Sequence, residues 1–198
     1  MKYILLIVCC IAIFILIAQI MIAKNTDTTE QQPYNVLLQD NDIEIRYYPE
    51  VLVAQVEDED PSIRGSASHN FRRLAGYIFG GNTAGEKIAM TAPVHMENTS
   101  AGTRMRFVMP SAMDSNRLPV PNDKGIVFST LPPDTVAVLR FSGFASDKDI
   151  REKEVLLQQW LNDKKIPTTS GFRYLGYNPP YQLVNRRNEV AVSIRWVK

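Results

Sequence analysis

From Tyr3 to Ala23 the chain reads YILLIVCCIAIFILIAQIMIA, with Gln19 its single strongly polar side chain. At 1.5 Å per residue a helix over this run is about 30 Å long, the thickness of a bilayer's hydrocarbon core. The run therefore reads as one membrane crossing, and the folded part of the protein has to be built from the residues beyond it. A cleaved signal peptide has a shorter apolar region and a small-x-small cleavage site, of which Met21-Ile22-Ala23 supplies only the second small residue. Ile7-Val8 ahead of Cys9 likewise lacks the small residue of a lipoprotein signal. We read residues 1–24 as an uncleaved single-pass anchor. Lys2 flanks one end, whereas Lys24 is soon followed by Asp27 and Glu30, a bias that places the rest of the chain outside the cytoplasm. Asn25 to Gln32 is polar without apolar periodicity, so residues 25–33 read as a flexible tether and residues 34–198 as the folded domain.

That domain is long enough for one core but short for two. Both cysteines, Cys9 and Cys10, lie in the apolar run, which leaves the domain no thiol for a disulfide, an iron–sulfur cluster, covalent cofactor attachment or nucleophilic catalysis. With His69 and His95 the only histidines, a structural zinc site of the usual Cys/His type cannot be assembled in one chain. The 22 basic and 21 acidic residues cancel to +1, so no nucleic acid is expected as a partner. Gly80 to Lys87 (GGNTAGEK) is no phosphate-binding loop, because Glu86 separates Gly85 from Lys87 and no Ser or Thr follows the lysine.

Ile43, Ile45 and Tyr47 alternate with Asp42, Glu44 and Arg46, the pattern of a half-buried strand, and Pro49-Glu50 turns the chain into a second apolar stretch, Val51 to Val56. Asp60-Pro61 then suggests a helix cap, and Ile63, Ala67, Phe71, Leu74 and Ile78 follow at helical spacing up to Gly80-Gly81. Strands are expected over Ile88 to Met96 and Arg104 to Met109, with a long connection over Pro110 to Gly125. The same order returns: a strand from Val136 to Phe141, a helix capped at Ser146 or Asp147, and strands over Phe172 to Tyr177 and Val190 to Val197. Pro49-Glu50 matches Pro133-Asp134 at an offset of 84, and Pro93 matches Pro179 at an offset of 86. The expected class is α+β: a distorted antiparallel β-barrel, closed or nearly so, from two strand-helix-strand-strand repeats with two outer helices, behind an N-terminal transmembrane helix.

Ile43 to Pro49 (IEIRYYP), the Phe71 to Gly81 helix end, Lys87 to Val94 (KIAMTAPV), Gly176 to Pro180 (GYNPP) and Arg186 to Val190 (RRNEV) occur in this order across the domain. On these stretches the chain resembles the SOUL haem-binding proteins. The resemblance implies a barrel of duplicated halves and non-covalent binding of haem or a related tetrapyrrole in a shallow groove beside the first helix of the domain.

On a helical wheel the far side of that helix carries Gly65, His69, Arg72, Arg73 and Gly76. Its glycines leave a low surface beside His69 that a flat macrocycle can approach; the imidazole is a candidate iron ligand, and Arg72 or Arg73 is a candidate partner for propionates. Tyr177 and Tyr181 flank a rigid Pro-Pro turn and are candidates for stacking, although Tyr177 is equally suited to the barrel interior. Arg186 and Arg187 sit between Asn185 and Asn188, a turn composition that puts them at a loop tip, exposed or in contact with an anion. His95, on a strand, is expected to be satisfied or exposed rather than a ligand. The reading that results is a non-enzymatic, membrane-tethered carrier, buffer or sensor for haem. The alternatives are a hydrolase or binding module for other apolar small molecules on the same fold, or an interaction domain without a ligand.

Overall fold

The computed structural model describes residues 2–196. The chain runs α1 (Lys2–Asp27), β1 (Glu30–Gln31), β2 (Asn35–Asp40), β3 (Ile43–Tyr48), β4 (Val51–Asp58), α2 (Ile63–Ile78), β5 (Thr91–Ala92), β6 (Val94–Thr99) and β7 (Gly102–Val108). After a short 3-10 turn at Ser115–Arg117 come β8 (Val127–Leu131), β9 (Asp134–Ser142), α3 (Asp147–Asp163), β10 (Thr168–Gly176) and β11 (Arg187–Ile194). Strands β2 and β8 carry no strong alternation and add to the strands expected from the sequence. Pro93, which has no N–H to give to a ladder, divides the expected Ile88 to Met96 strand into β5 and β6. Of the expected last strand, Trp196 lies beyond β11 and Val197 lies outside the described residues.

Helix α2 is capped by Ser62 rather than Asp60. The Asp60 carboxylate accepts from the Ser62 N–H at 2.8 Å, and the Ser62 hydroxyl in turn accepts from Gly65 N at 2.8 Å. The helix stops where Gly80 takes a φ of 108° and Gly81 passes so close to the Gly76 carbonyl that a Cβ there would stand 2.6 Å from it. Helix α3 starts at Ser146 with a reciprocal capping box to Asp149.

Nine strands form one sheet in the order β2-β3-β9-β11-β10-β6-β7-β4-β8, and every neighbouring pair is antiparallel. The barrel is not closed: β2 and β8 are the two edges and do not pair with each other. The sheet nevertheless curls. Strands β3 and β4 stand far apart in the strand order yet are joined by Pro49-Glu50 alone, and β8 and β9 are joined by Pro132-Pro133 alone. Two-residue links hold their ends within about 10 Å, and their prolines offer no donor with which to zip the gap.

Alternation sends successive residues of each strand to opposite faces. One face packs against α2 and α3 through Ile45, Ala54, Val56, Met96, Met105, Phe107, Ala137, Leu139, Val190 and Val192. The other face holds a smaller apolar cluster, Tyr48, Val136, Val138, Leu175, Tyr177 and Ala191, among charged side chains. In β3 it is Tyr48 that is buried and Tyr47 that is exposed. The expected tether is partly ordered: α1 runs to Asp27, and Glu30 and Gln31 pair in parallel with Thr91 and Ala92.

Candidate functional site

Four surfaces carry the residues with chemistry. The first is the outer face of α2. His69 has 62% of its side chain exposed, and its Nδ1–H donates to Asp58 Oδ2 at 2.7 Å, since an ionised carboxylate can only accept. The Asp58 carboxyl is held below its ordinary value by the Asp60 backbone N–H and then by His69. This contact orients the ring and leaves Nε2 without a hydrogen bond to any described residue. Arg72 is exposed and has no ion pair among the described residues. Arg73 is committed: Nε and Nη2 donate to Asp123 at 2.7 and 3.1 Å, a pairing that raises the arginine and lowers the aspartate. A Cβ at Gly76 would meet nothing within 4 Å, but one at Gly65 would stand 2.4 Å from the Asp60 carboxylate, so only Gly76 opens a low surface.

The second is a buried ionic cluster on the helix-free face of the sheet. Arg46 donates from both terminal nitrogens to Glu189, at 2.8 and 3.0 Å, and from Nε to Glu44 at 2.6 Å. Tyr177 O–H donates to Glu189 at 2.8 Å, and Arg187 donates to the same carboxylate at 2.7 and 2.9 Å while lying 3.9 Å over the Tyr177 ring. Burial pushes the Glu189 carboxyl up, yet the hydrogen bonds and charge of Arg46 and the charge of Arg187 reverse this and hold it below its ordinary range. Tyr177 is thus buried, and Arg187, half-buried at the start of β11, is held on Glu189 instead of standing at a loop tip. Further along the same face, His95 is buried, its Nε2 2.8 Å from Gln32 Oε1 and its Nδ1 without a partner. Burial and then the charges of Arg173 and Arg106 push it down to about 3, so it is neutral.

The third is the loop from Tyr177 to Arg187. Tyr181 is 64% exposed. Arg186 turns inward on its own loop, donating to the Pro179 and Gln182 carbonyls at 2.8 and 2.6 Å and lying 4.5 Å over the Phe144 ring. The fourth surface escaped the sequence reading. Leu38, Trp160, Ile166, Pro167 and Trp196 line a cleft of about 520 Å³ whose rim holds Lys164, Lys165, Arg195 and Asp40. Trp160 Nε1 donates to Asp40 at 2.9 Å. Its signal was the pair of tryptophans near three cations, which lie 36 residues apart in the sequence and meet only because β11 returns beside α3. The structure therefore keeps His69, Arg72, Arg73 and Gly76 on one face, and separates them from Tyr181 and Arg186 on the loop and from Tyr177 and Arg187 around Glu189.

The fold agrees with comparisons against known proteins. The model of the family described as SOUL heme-binding protein matches residues 29–193, and the chain belongs to that family. Among individual relatives, the mouse protein named Heme-binding protein 2 is 28% identical over 80% of this chain and 80% of its own length. The human Heme-binding protein 2 is 30% identical over 74% of this chain and 75% of its own, and the pig Heme-binding protein 1 is 26% identical over 82% and 92%. Two solved structures share the fold: the EcmrR C-terminal domain, at a TM-score of 0.58 and 15% identity over 83% of this chain and 99% of that one, and a hydrolase from Listeria innocua, at 0.56 and 6% over 80% and 94%. At these identities they speak for the fold alone.

Proposed function

We propose that the domain binds haem or a related tetrapyrrole non-covalently and serves as a carrier, buffer or sensor held at a membrane by α1, with the domain outside the cytoplasm. The observation that carries the reading is the family match over residues 29–193, with relatives named for haem. The repeated order β4-α2-β6-β7 and β9-α3-β10-β11, each with its first strand paired to its last, supports reading the domain as two copies of one unit.

The α2 face fits such a group in part. His69, oriented by Asp58 with Nε2 unpaired, would supply a nitrogen ligand to the iron, Arg72 a cation for a propionate, and Gly76 the room for a flat ring. Arg73 would first have to leave Asp123. Bound there, haem would supply redox and gas-ligand chemistry, while the chain's residues bind and orient it.

A second position for the same ligand is favoured by one observation: the Trp160 and Trp196 cleft is concave, of ligand size, and rimmed by three cations against one acid. It is lined by no His, Cys, Met or Tyr among the described residues. Titration of the full chain in detergent with haem and with metal-free protoporphyrin tests both. A saturable Soret shift with haem is expected, and its absence for both porphyrins refutes the binding reading. Loss of haem affinity in His69→Ala, together with weaker binding of protoporphyrin to the wild type, places the ligand on α2. Equal binding of the two porphyrins, lost in a Lys164→Ala, Lys165→Ala, Arg195→Ala variant, places it in the cleft.

A further inference from the structure

The end of α1 is not free of the domain. Gln19, the one strongly polar residue of the apolar run, donates from Nε2 to the Tyr181 carbonyl at 3.2 Å and accepts from the Leu183 N–H at 2.7 Å. About two turns later, Thr26 donates to the buried Gln182 Oε1 at 2.8 Å. The Tyr177 to Arg187 loop is thereby pinned alongside the helix at the level of Gln19.

Gln19 lies four residues before Ala23, the end of the apolar run, which is about 6 Å along the helix axis. Whatever depth Gln19 occupies, the loop tip shares it. The tip presents Tyr181, Leu183 and Val184 outward, at 64%, 54% and 46% exposure. Three exposed apolar side chains in four residues are costly against water and suited to a hydrocarbon boundary.

The backbone beneath them is equally suited to such a place. The Pro179 and Gln182 carbonyls accept from Arg186, the Val184 and Asn185 carbonyls accept from the Gln182 amide, and the Pro179 carbonyl also accepts from Gln182 N. Tyr181 O and Leu183 N are taken by Gln19. With the carbonyls of Pro179, Tyr181, Gln182, Val184 and Asn185 taken by its own side chains and by the helix beside it, the loop loses less on leaving water than one whose carbonyls depend on solvent. The same contacts satisfy Gln19, whose amide would otherwise be stranded in an apolar run.

We propose that Tyr181, Leu183 and Val184 are a second membrane-contacting element, inserted into the interfacial zone of a phospholipid bilayer beside α1 and fixing the orientation of the domain against it. The proposal rests on the reading of α1 as a membrane span. Its partner is the lipid surface itself, because the exposed groups are apolar and continuous with the helix that enters the bilayer.

The test uses the full chain in phosphatidylcholine vesicles, with Cys9→Ser and Cys10→Ser removing the native thiols. A polarity-sensitive fluorophore is placed at Leu183→Cys or at Thr169→Cys, an exposed site at the other end of β10. The expected result is blue-shifted emission at position 183 that is quenched by lipids with a nitroxide high on the acyl chain, and unshifted, unquenched emission at 169. Gln19→Leu, which releases the loop and leaves the span apolar, should shift the 183 label back toward the emission of the 169 label. Vesicle flotation separates the two readings. A chain that floats but whose 183 label behaves like its 169 label overturns the loop insertion and leaves the anchor standing. A chain that does not float overturns both.

Discussion

The two faces of the nine-stranded sheet are made by alternate residues of the same strands, yet they are held by different forces. Under α2 and α3 the core is apolar, with Leu74, Ile78, Leu157 and Leu161 gathered on Ile45, Met105 and Val192, and the hydrogen bonds of Ser66 with Thr103 and of Trp160 with Asp40 carry no net charge pair into it. On the opposite face Arg46 pairs with Glu189, Arg173 with Asp134, and Arg104 and Arg106 with Glu97, a layer of ion pairs running across the strands. Burial of an apolar side chain tolerates substitution by others of similar volume. A buried charge tolerates only its partner. The ionic layer also grades from one end to the other, since Glu189 and Arg46 are enclosed whereas Arg104 is partly in solvent.

This contrast is broken most severely at Glu189. Glu189→Ala leaves Arg46 and Arg187 without their shared counter-charge, and urea unfolding should show a loss of about 3–5 kcal/mol. An equal or smaller loss than that of a single buried methylene would remove the distinction between the faces.

A pH titration of stability sharpens it. His95 is pushed down to about 3 in the folded domain and titrates near 6.5 when unfolded, so between these values the unfolded chain binds a proton that the folded one does not. Stability is full above pH 6.5 and falls, by a few kcal/mol in all, as the pH drops toward 3. Glu189, also held below its ordinary value, adds to the loss only below that value of 4.5. Thermal melts of His95→Asn should be nearly flat between pH 6.5 and 4.5, where the wild type declines; parallel declines would locate the proton elsewhere.

The smallest effects lie at the solvated margin. Arg104→Ala, which breaks pairs with Glu57 and Glu97, should cost less than about 1 kcal/mol and matter less in high salt, because such pairs are screened. Ile45→Val, on the apolar face, should cost about 0.5–1.5 kcal/mol and be indifferent to salt. Differential scanning calorimetry at two ionic strengths compares them directly.

Much of this molecule was legible in the order of its residues. The apolar run, the helical spacing of Ile63, Leu74 and Ile78, the Ser146 cap, and the strict alternation of Val190, Val192 and Ile194 depend on neighbours a few positions away. The motif stretches likewise sufficed for the family, and the far side of α2 is where the wheel put it. What the residues could not disclose was pairing across distance. Whether Arg46 faced solvent or Glu189, 143 positions away, was decided when β3 crossed to lie beside β9 and β9 beside β11. The same crossing drew Tyr177 and Arg187 inward, β2 and β8 became edges instead of a seam, and the return of β11 brought Trp196 to Trp160. Periodicity reports which side of an element is apolar, because that is a property of one segment. Which charge meets which, and which hollow opens, depends on segments whose separation in the chain carries no local signal, and only the packed sheet settles it.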